Sequence, residues 1–153
     1  MEKKIFISRV VDLILKDEIR VFPFAMLDND IYDDLKVRVE KYIEESEDNN
    51  FYYCLIKDSI IVINHVDAFE IDILLYHQLD SKEPLICIYL KDDKVRSEFI
   101  DIDFKSFEEM YKEDLNDENS AFYISLLDRW LLANLHQILK NTTGKILDSI
   151  LDF

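Results

Sequence analysis

The middle of the chain consists of short apolar segments that only a few polar residues separate. Residues 51–56, 60–65, 69–75 and 85–90 are rich in β-branched and aromatic side chains, a composition typical of β-strands. Strands joined by such short connections must pair antiparallel, because a parallel pair needs a crossover of about a dozen residues or more. This spacing therefore predicts a meander-like antiparallel sheet.

Two segments of this region alternate apolar and acidic residues. In residues 69–75 the apolar side chains fall at every second position, which predicts a half-buried strand, with a short helix as the alternative. In residues 95–104 the alternation places Ile100, Ile102 and Phe104 on one face and the intervening acids on the other. The sequence thus predicts about five strands, the last of them at 95–104, and it does not predict their order in the sheet.

Helical periodicity flanks the strands on both sides. Apolar residues recur three and four positions apart, and they predict helices over 4–17, 31–46, 107–115 and 120–140. Residues 19–27 are expected to be extended, Asp28 is a favourable N-cap, and 141–144 should end the last helix. We therefore predict an α+β fold over a single domain, residues 1–153, with the sheet packed against N- and C-terminal helices.

The charge of the chain excludes several classes of function. There are 33 acidic and 18 basic side chains, so the net charge is −15, which argues against nucleic-acid binding because that needs cationic groups. The chain has one glycine, whereas phosphate-binding loops need several at fixed spacing. No apolar stretch approaches the roughly 20 residues of a membrane span. We expect a cytoplasmic protein with no membrane partner.

Neither the cysteines nor the histidines form a pattern typical of catalysis. Cys54 and Cys87 lie in apolar runs, which predicts reduced, buried thiols in a reducing compartment. Histidines and carboxylates cluster loosely in one stretch of the sequence, at His65, Asp67, Glu70, Asp72 and His77. Their spacing matches no established metal-ligand pattern, and His136 is interpreted as an ordinary helix residue. We expect no enzyme activity, no catalytic residues, no metal and no cofactor.

The densest acidic stretch is residues 98–118, with nine acids against Lys105 and Lys112. One interpretation is a solvated face that maintains solubility. The other is a docking surface for a cationic protein, because complementary charge accelerates encounter. Under the second interpretation the predicted partner-binding residues are Asp101, Asp103, Glu108, Glu109, Tyr111, Glu113, Asp114, Asp117 and Glu118. Tyr111 would act as an aromatic anchor, and the acidic helix within 28–48 is the next candidate surface.

A small acidic chain without catalytic motifs resembles, in general character, the bacterial immunity proteins and antitoxins. That resemblance implies a binding protein that neutralises a basic partner such as a nuclease toxin, whose nucleic-acid cleft is cationic. The alternatives are a phage-type nucleic-acid mimic, such as an anti-restriction or anti-CRISPR protein, and a non-catalytic adaptor subunit. A metal-assisted hydrolase built on the histidine and aspartate group ranks last.

Overall fold

The computed structural model describes residues 2–43, 50–94, 96–111 and 121–151. Five strands form one antiparallel sheet whose spatial order follows the chain. The strands are β1 (Phe22–Pro23), β2 (Phe51–Ile56), β3 (Ser59–Asp67), β4 (Glu70–Tyr76) and β5 (Ile86–Lys91). The predicted α+β fold with an antiparallel meander is therefore confirmed, and the segment predicted at 69–75 forms a strand, β4, rather than a helix, although Phe69 itself lies in the preceding turn.

Helices precede and follow the sheet, as predicted. The α-helices in the described residues are α1 (Glu2–Leu15), α2 (Asn29–Val39), α3 (Phe104–Met110) and α4 (Ala121–Leu151), and two 3-10 helices cover Phe24–Met26 and Ser97–Phe99. Asp28 caps α2, because its carboxylate accepts a hydrogen bond of 3.1 Å from the backbone N–H of Asp30.

The prediction of a strand at 95–104 is wrong. Where the structure describes this stretch, it forms the 3-10 helix Ser97–Phe99, an irregular stretch and the first residue of α3. The fifth strand is instead β1, a two-residue strand that pairs Phe22 with Tyr53 at the edge of β2. So short a strand carries no periodicity, which is why the sequence shows it only as an extended segment.

All four helices differ from their predicted bounds: α1 spans Glu2–Leu15 instead of 4–17, and the larger differences are in the other three. Helix α2 ends at Val39, turns follow to residue 43, and 44–49 lie outside the described residues. Helix α3 begins three residues earlier than predicted, and the expected helical residues 112–115 lie outside the described ranges. Helix α4 passes through Gly144 and reaches Leu151. A single glycine lowers helix stability by only about 1 kcal/mol, which the rest of a 31-residue helix can absorb.

Both faces of the sheet are buried, each by a different set of helices. Alternate strand residues such as Ile61, Ile73 and Ile88 pack against α1, α3 and α4 in the larger core. The residues between them, including Val62 and Leu74, pack with α2 and the first 3-10 helix in a second core. Because strand side chains alternate between faces, two-sided burial makes the strands almost continuously apolar.

The two cysteines lie on opposite faces of the sheet, and both are free thiols. Cys54 is fully buried, as predicted, whereas Cys87 is only half-buried because it lies on β5, at the edge of the sheet.

Within the described ranges, none of the helices combines the length and the apolar character that a membrane crossing requires.

Candidate functional site

The acidic stretch singled out in the sequence is partly described by the structure. Of the predicted partner-binding residues, Asp101, Asp103, Glu108, Glu109 and Tyr111 lie in residues 97–111, which we call the acidic segment. The others, Glu113, Asp114, Asp117 and Glu118, lie outside the described residues. Their assignment to a partner-binding surface stays a prediction.

Side chains of α4 bind the backbone of the acidic segment. The Trp130 indole Nε1–H donates to the carbonyl of Ile102 over 2.9 Å. The Asn134 side chain donates to the carbonyl of Phe99 over 2.9 Å and accepts from the backbone N–H of Asp101 over 3.1 Å. Because these backbone groups are already paired with side chains, they are not free to pair with β5. This explains why an alternating sequence does not form a sheet strand here.

Two aspartates hold the start of α3. Asp12 of α1 accepts a hydrogen bond of 2.8 Å from the backbone N–H of Phe104, and Asp103 caps α3 by accepting from the backbone N–H of Ser106 over 2.6 Å. Burial raises the pKa of Asp12, although the Phe104 hydrogen bond opposes it, whereas the Ser106 hydrogen bond lowers the pKa of Asp103. The start of α3 is thus tied to α1.

An aromatic cluster lies beneath the acidic segment. The Trp130 ring lies 5.4 Å from Phe104 and 5.8 Å from Phe107, measured between centroids. Tyr111 joins the same cluster, 5.2 Å from Phe107 and 6.1 Å from Phe99. The Tyr111 ring is therefore half-buried among aromatic neighbours, and only its remaining surface is free for the anchoring role that the sequence suggested.

Most acidic side chains of the segment face solvent. Glu98, Asp101, Asp103 and Glu109 are exposed and Glu108 is half-buried, while Lys105 is the one base between residues 97 and 111. Asp101 has a φ of 63°, in the left-handed region that aspartate tolerates better than most residues. The acids thus sit on a backbone that Trp130 and Asn134 anchor to α4 by hydrogen bonds.

A half-buried ion pair links residues of the turn that leads into the segment. Arg96 Nε lies 2.9 Å from Asp92 Oδ2, and the two side chains are 12% and 9% exposed. The hydrogen bond from Arg96 lowers the pKa of Asp92 to about 2. The pair therefore stays charged at neutral pH.

A second acidic surface lies on the other side of the sheet, on α2. Asp28, Asp30, Asp33 and Glu40 are exposed there, and Asp34 forms an ion pair of 3.1 Å with Arg38. Because α2 packs on the face opposite to α3, the two acidic surfaces cannot contact one partner patch together. Residues 44–48 of this candidate lie outside the described residues.

No protein-family model, no curated protein and no solved structure matches this chain.

The histidines are arranged differently from the loose cluster considered in the sequence. His65 of β3 lies against His136 of α4, with 2.9 Å between Nε2 of the first and Nδ1 of the second. His77 follows the last residue of β4, whereas His65 pairs with Ile71 near its first residue, so the two lie at opposite ends of that strand. Among the described residues, no group of three or more His, Cys, Asp or Glu side chains could hold a metal ion.

The contact between His65 and His136 was missed because 71 positions separate the two residues. A signal existed, since β-strand alternation places His65 on the same face as Ile61 and Ile63, toward the long helix. Burial is the largest cause that lowers the pKa of both imidazoles, while Asp67 opposes the shift at each. The pair is therefore held neutral and joins α4 to β3.

Proposed function

We propose that this protein binds a basic protein partner through the acidic segment and neutralises it, in the manner of an immunity protein or antitoxin acting on a nuclease toxin. The observation that carries the proposal is the exposure of Glu98, Asp101, Asp103 and Glu109 on a backbone held by Trp130 and Asn134. The net charge of −15 supports it. A reducing, cytoplasmic location belongs to the same proposal and is supported by two free thiols.

A rigid acidic surface suits fast and tight association with a cationic cleft. Complementary charge can raise association rates to about 10⁸–10⁹ M⁻¹s⁻¹ at low salt. Carboxylates on a fixed backbone also lose less conformational entropy on binding than carboxylates on a mobile loop. Both effects act on any partner whose active cleft binds phosphates, so a nuclease toxin is the simplest target.

The test begins by identifying the partner that co-purifies with a tagged chain from its native host. Association and dissociation rates are then measured with both purified proteins. The test variant is Glu98→Lys/Glu109→Lys, which reverses two exposed charges of the acidic segment. The matched control is Asp58→Lys/Glu83→Lys, which makes the same change in net charge in the β2–β3 and β4–β5 connections. Those connections lie at the opposite end of the strands from the turn that leads into the acidic segment.

We expect the test variant to associate at least tenfold more slowly than the wild type, with a smaller change in the dissociation rate. The association rate of the control variant should fall much less. Wild-type association should also slow as salt rises, because screening shortens to about 8 Å near 0.15 M. Inhibition of the partner should follow the amount of complex formed.

Three results would contradict the proposal in distinct ways. If the test variant associates at the wild-type rate, the binding surface lies on α2 instead of the acidic segment. The next variant is then Asp30→Lys/Asp33→Lys on α2. A partner that is a restriction or CRISPR nuclease supports the nucleic-acid mimic instead. A partner that stays fully active in a salt-insensitive complex supports an adaptor subunit.

A further inference from the structure

An open apolar groove of about 760 Å³ lies between the end of α1, the residues that lead into β1, and the last turns of α4. Its apolar walls include Ile14, Val21, Phe22, Ile138, Ile146 and Ile150. None of the residues 97–111 of the acidic segment lines it.

The last turns of α4 expose a strip of large apolar side chains beside the groove. Leu147, Ile150 and Leu151 are 57%, 64% and 73% exposed. These turns follow two threonines and Gly144, which are weak helix formers, so intrinsic propensity does little to hold them helical. The exposed ion pair from Lys145 to Asp17, 3.1 Å long, adds little stability. A covering partner would supply the missing apolar contacts.

The charges around the groove differ from those of the rest of the chain. Two bases, Arg20 and Lys145, and two acids, Asp17 and Asp148, line it, so its formal charge is balanced while the chain carries −15. In a two-fold symmetric contact a surface faces its own copy, so a patch with one sign of charge repels itself. A balanced patch with an apolar centre can face its copy with bases opposite acids.

We propose that the groove and the exposed turns of α4 form a self-association surface on which a second copy of this chain packs. A small apolar ligand in the groove would leave Leu147 and Leu151 exposed, because neither residue lines it. A second copy covers both the groove and the strip, and large exposed apolar patches commonly mark such contacts. This inference is independent of the proposed function, because it concerns the purified chain alone.

The test is sedimentation equilibrium of the purified protein over a wide concentration range. We expect a reversible dimer, and we expect Leu147→Gln/Leu151→Gln to weaken it by at least about tenfold. The matched control is Leu55→Gln/Leu85→Gln, which removes two leucines that are 49% and 61% exposed elsewhere on the surface. The control should dimerise like the wild type, and circular dichroism should show that both variants are folded.

Charge reversal provides a second measurement that does not depend on the leucines. Lys145→Glu leaves the groove acidic on both copies and should weaken the dimer, and the added change Asp148→Lys should restore it by rebalancing the patch. A wild type that stays monomeric at the highest concentration overturns the inference and assigns the groove to another occupant. Equal dimerisation of the wild type and the Leu147→Gln/Leu151→Gln variant overturns it as well.

Discussion

His65 Nε2 and His136 Nδ1 lie 2.9 Å apart, and this contact joins β3 to α4 across 71 positions of sequence. The rings are tilted by 55° with 5.0 Å between their centroids. One nitrogen must carry a proton and the other a free lone pair, so two fully protonated imidazoles cannot make this hydrogen bond.

Acidification should destabilise the protein through this pair. Burial is the largest cause that lowers the pKa of each histidine; His136 lowers that of His65 further, and Lys140 that of His136, while Asp67 opposes both. The unfolded chain, with histidine pKa near 6.5, therefore binds protons more readily than the folded chain. The stability that the pair contributes is complete above about pH 6.5 and is lost as the pH falls toward the lowered pKa values.

The measurement is the urea midpoint at about pH 7.5 and about pH 5.5 for the wild type and single histidine variants. We expect His65→Gln and His136→Gln to lose about 0.5–1.5 kcal/mol at the higher pH, the usual contribution of one hydrogen bond. Their stability should also change less with pH than that of the wild type. His77→Gln, at an exposed histidine, is the control. An unchanged pH dependence in both variants would show that the pair does not govern it.

Asn134→Ala should loosen the acidic segment. Asn134 is fully buried, and it bonds the carbonyl of Phe99 and the backbone N–H of Asp101. Its loss leaves the Asp101 N–H without this acceptor, and it leaves the Phe99 carbonyl only the 3.4 Å bond from the N–H of Ile102. We expect a cost of about 1–3 kcal/mol in the free energy of unfolding and faster hydrogen exchange at the Asp101 amide. Asn141→Ala, at an exposed position of the same helix, should change neither measurement. An Asp101 amide that exchanges its hydrogen as slowly in Asn134→Ala as in the wild type would contradict this account.

Trp130→Ala should be strongly destabilising. The indole is 0% exposed, contacts two phenylalanine rings and donates to the carbonyl of Ile102. Truncation of such a residue costs about 3–5 kcal/mol, measured from the denaturant midpoint. Phe122→Ala, which removes a 55% exposed ring from the same helix, is the control. Equal midpoints for Trp130→Ala and the wild type would show that the helix is not packed in this way.

The two thiols should differ in reactivity. Burial raises the pKa of Cys54 to about 12, and it also raises the pKa of Cys87, which is only half-buried. In native protein we expect a thiol reagent to label Cys87 slowly and Cys54 only on unfolding, since the thiolate is the reactive form. Single variants Cys54→Ala and Cys87→Ser assign the two rates. Faster labelling at Cys54 would contradict the burial described for β2.

Local patterns in the sequence determined most of the sheet. Alternating and continuous apolar runs predicted β2 to β5 to within a few residues, because a buried strand is a short apolar run bounded by polar connections, which a sequence displays directly. Short connections then determined antiparallel pairing. The N-cap at Asp28 was predictable for a similar reason, since it depends only on residues in the first turn of α2.

Tertiary contacts decided the rest. Residues 97–104 have a strand-like pattern, but Trp130, Asn134 and Asp12 take the backbone groups that a strand would need. The contact of His65 with His136 and the groove between α1 and α4 likewise join residues far apart in the chain. Periodicity reports which side of an element is buried, and it carries no information about which distant side chain lies opposite. Those pairings are chosen only when the helices pack on the sheet.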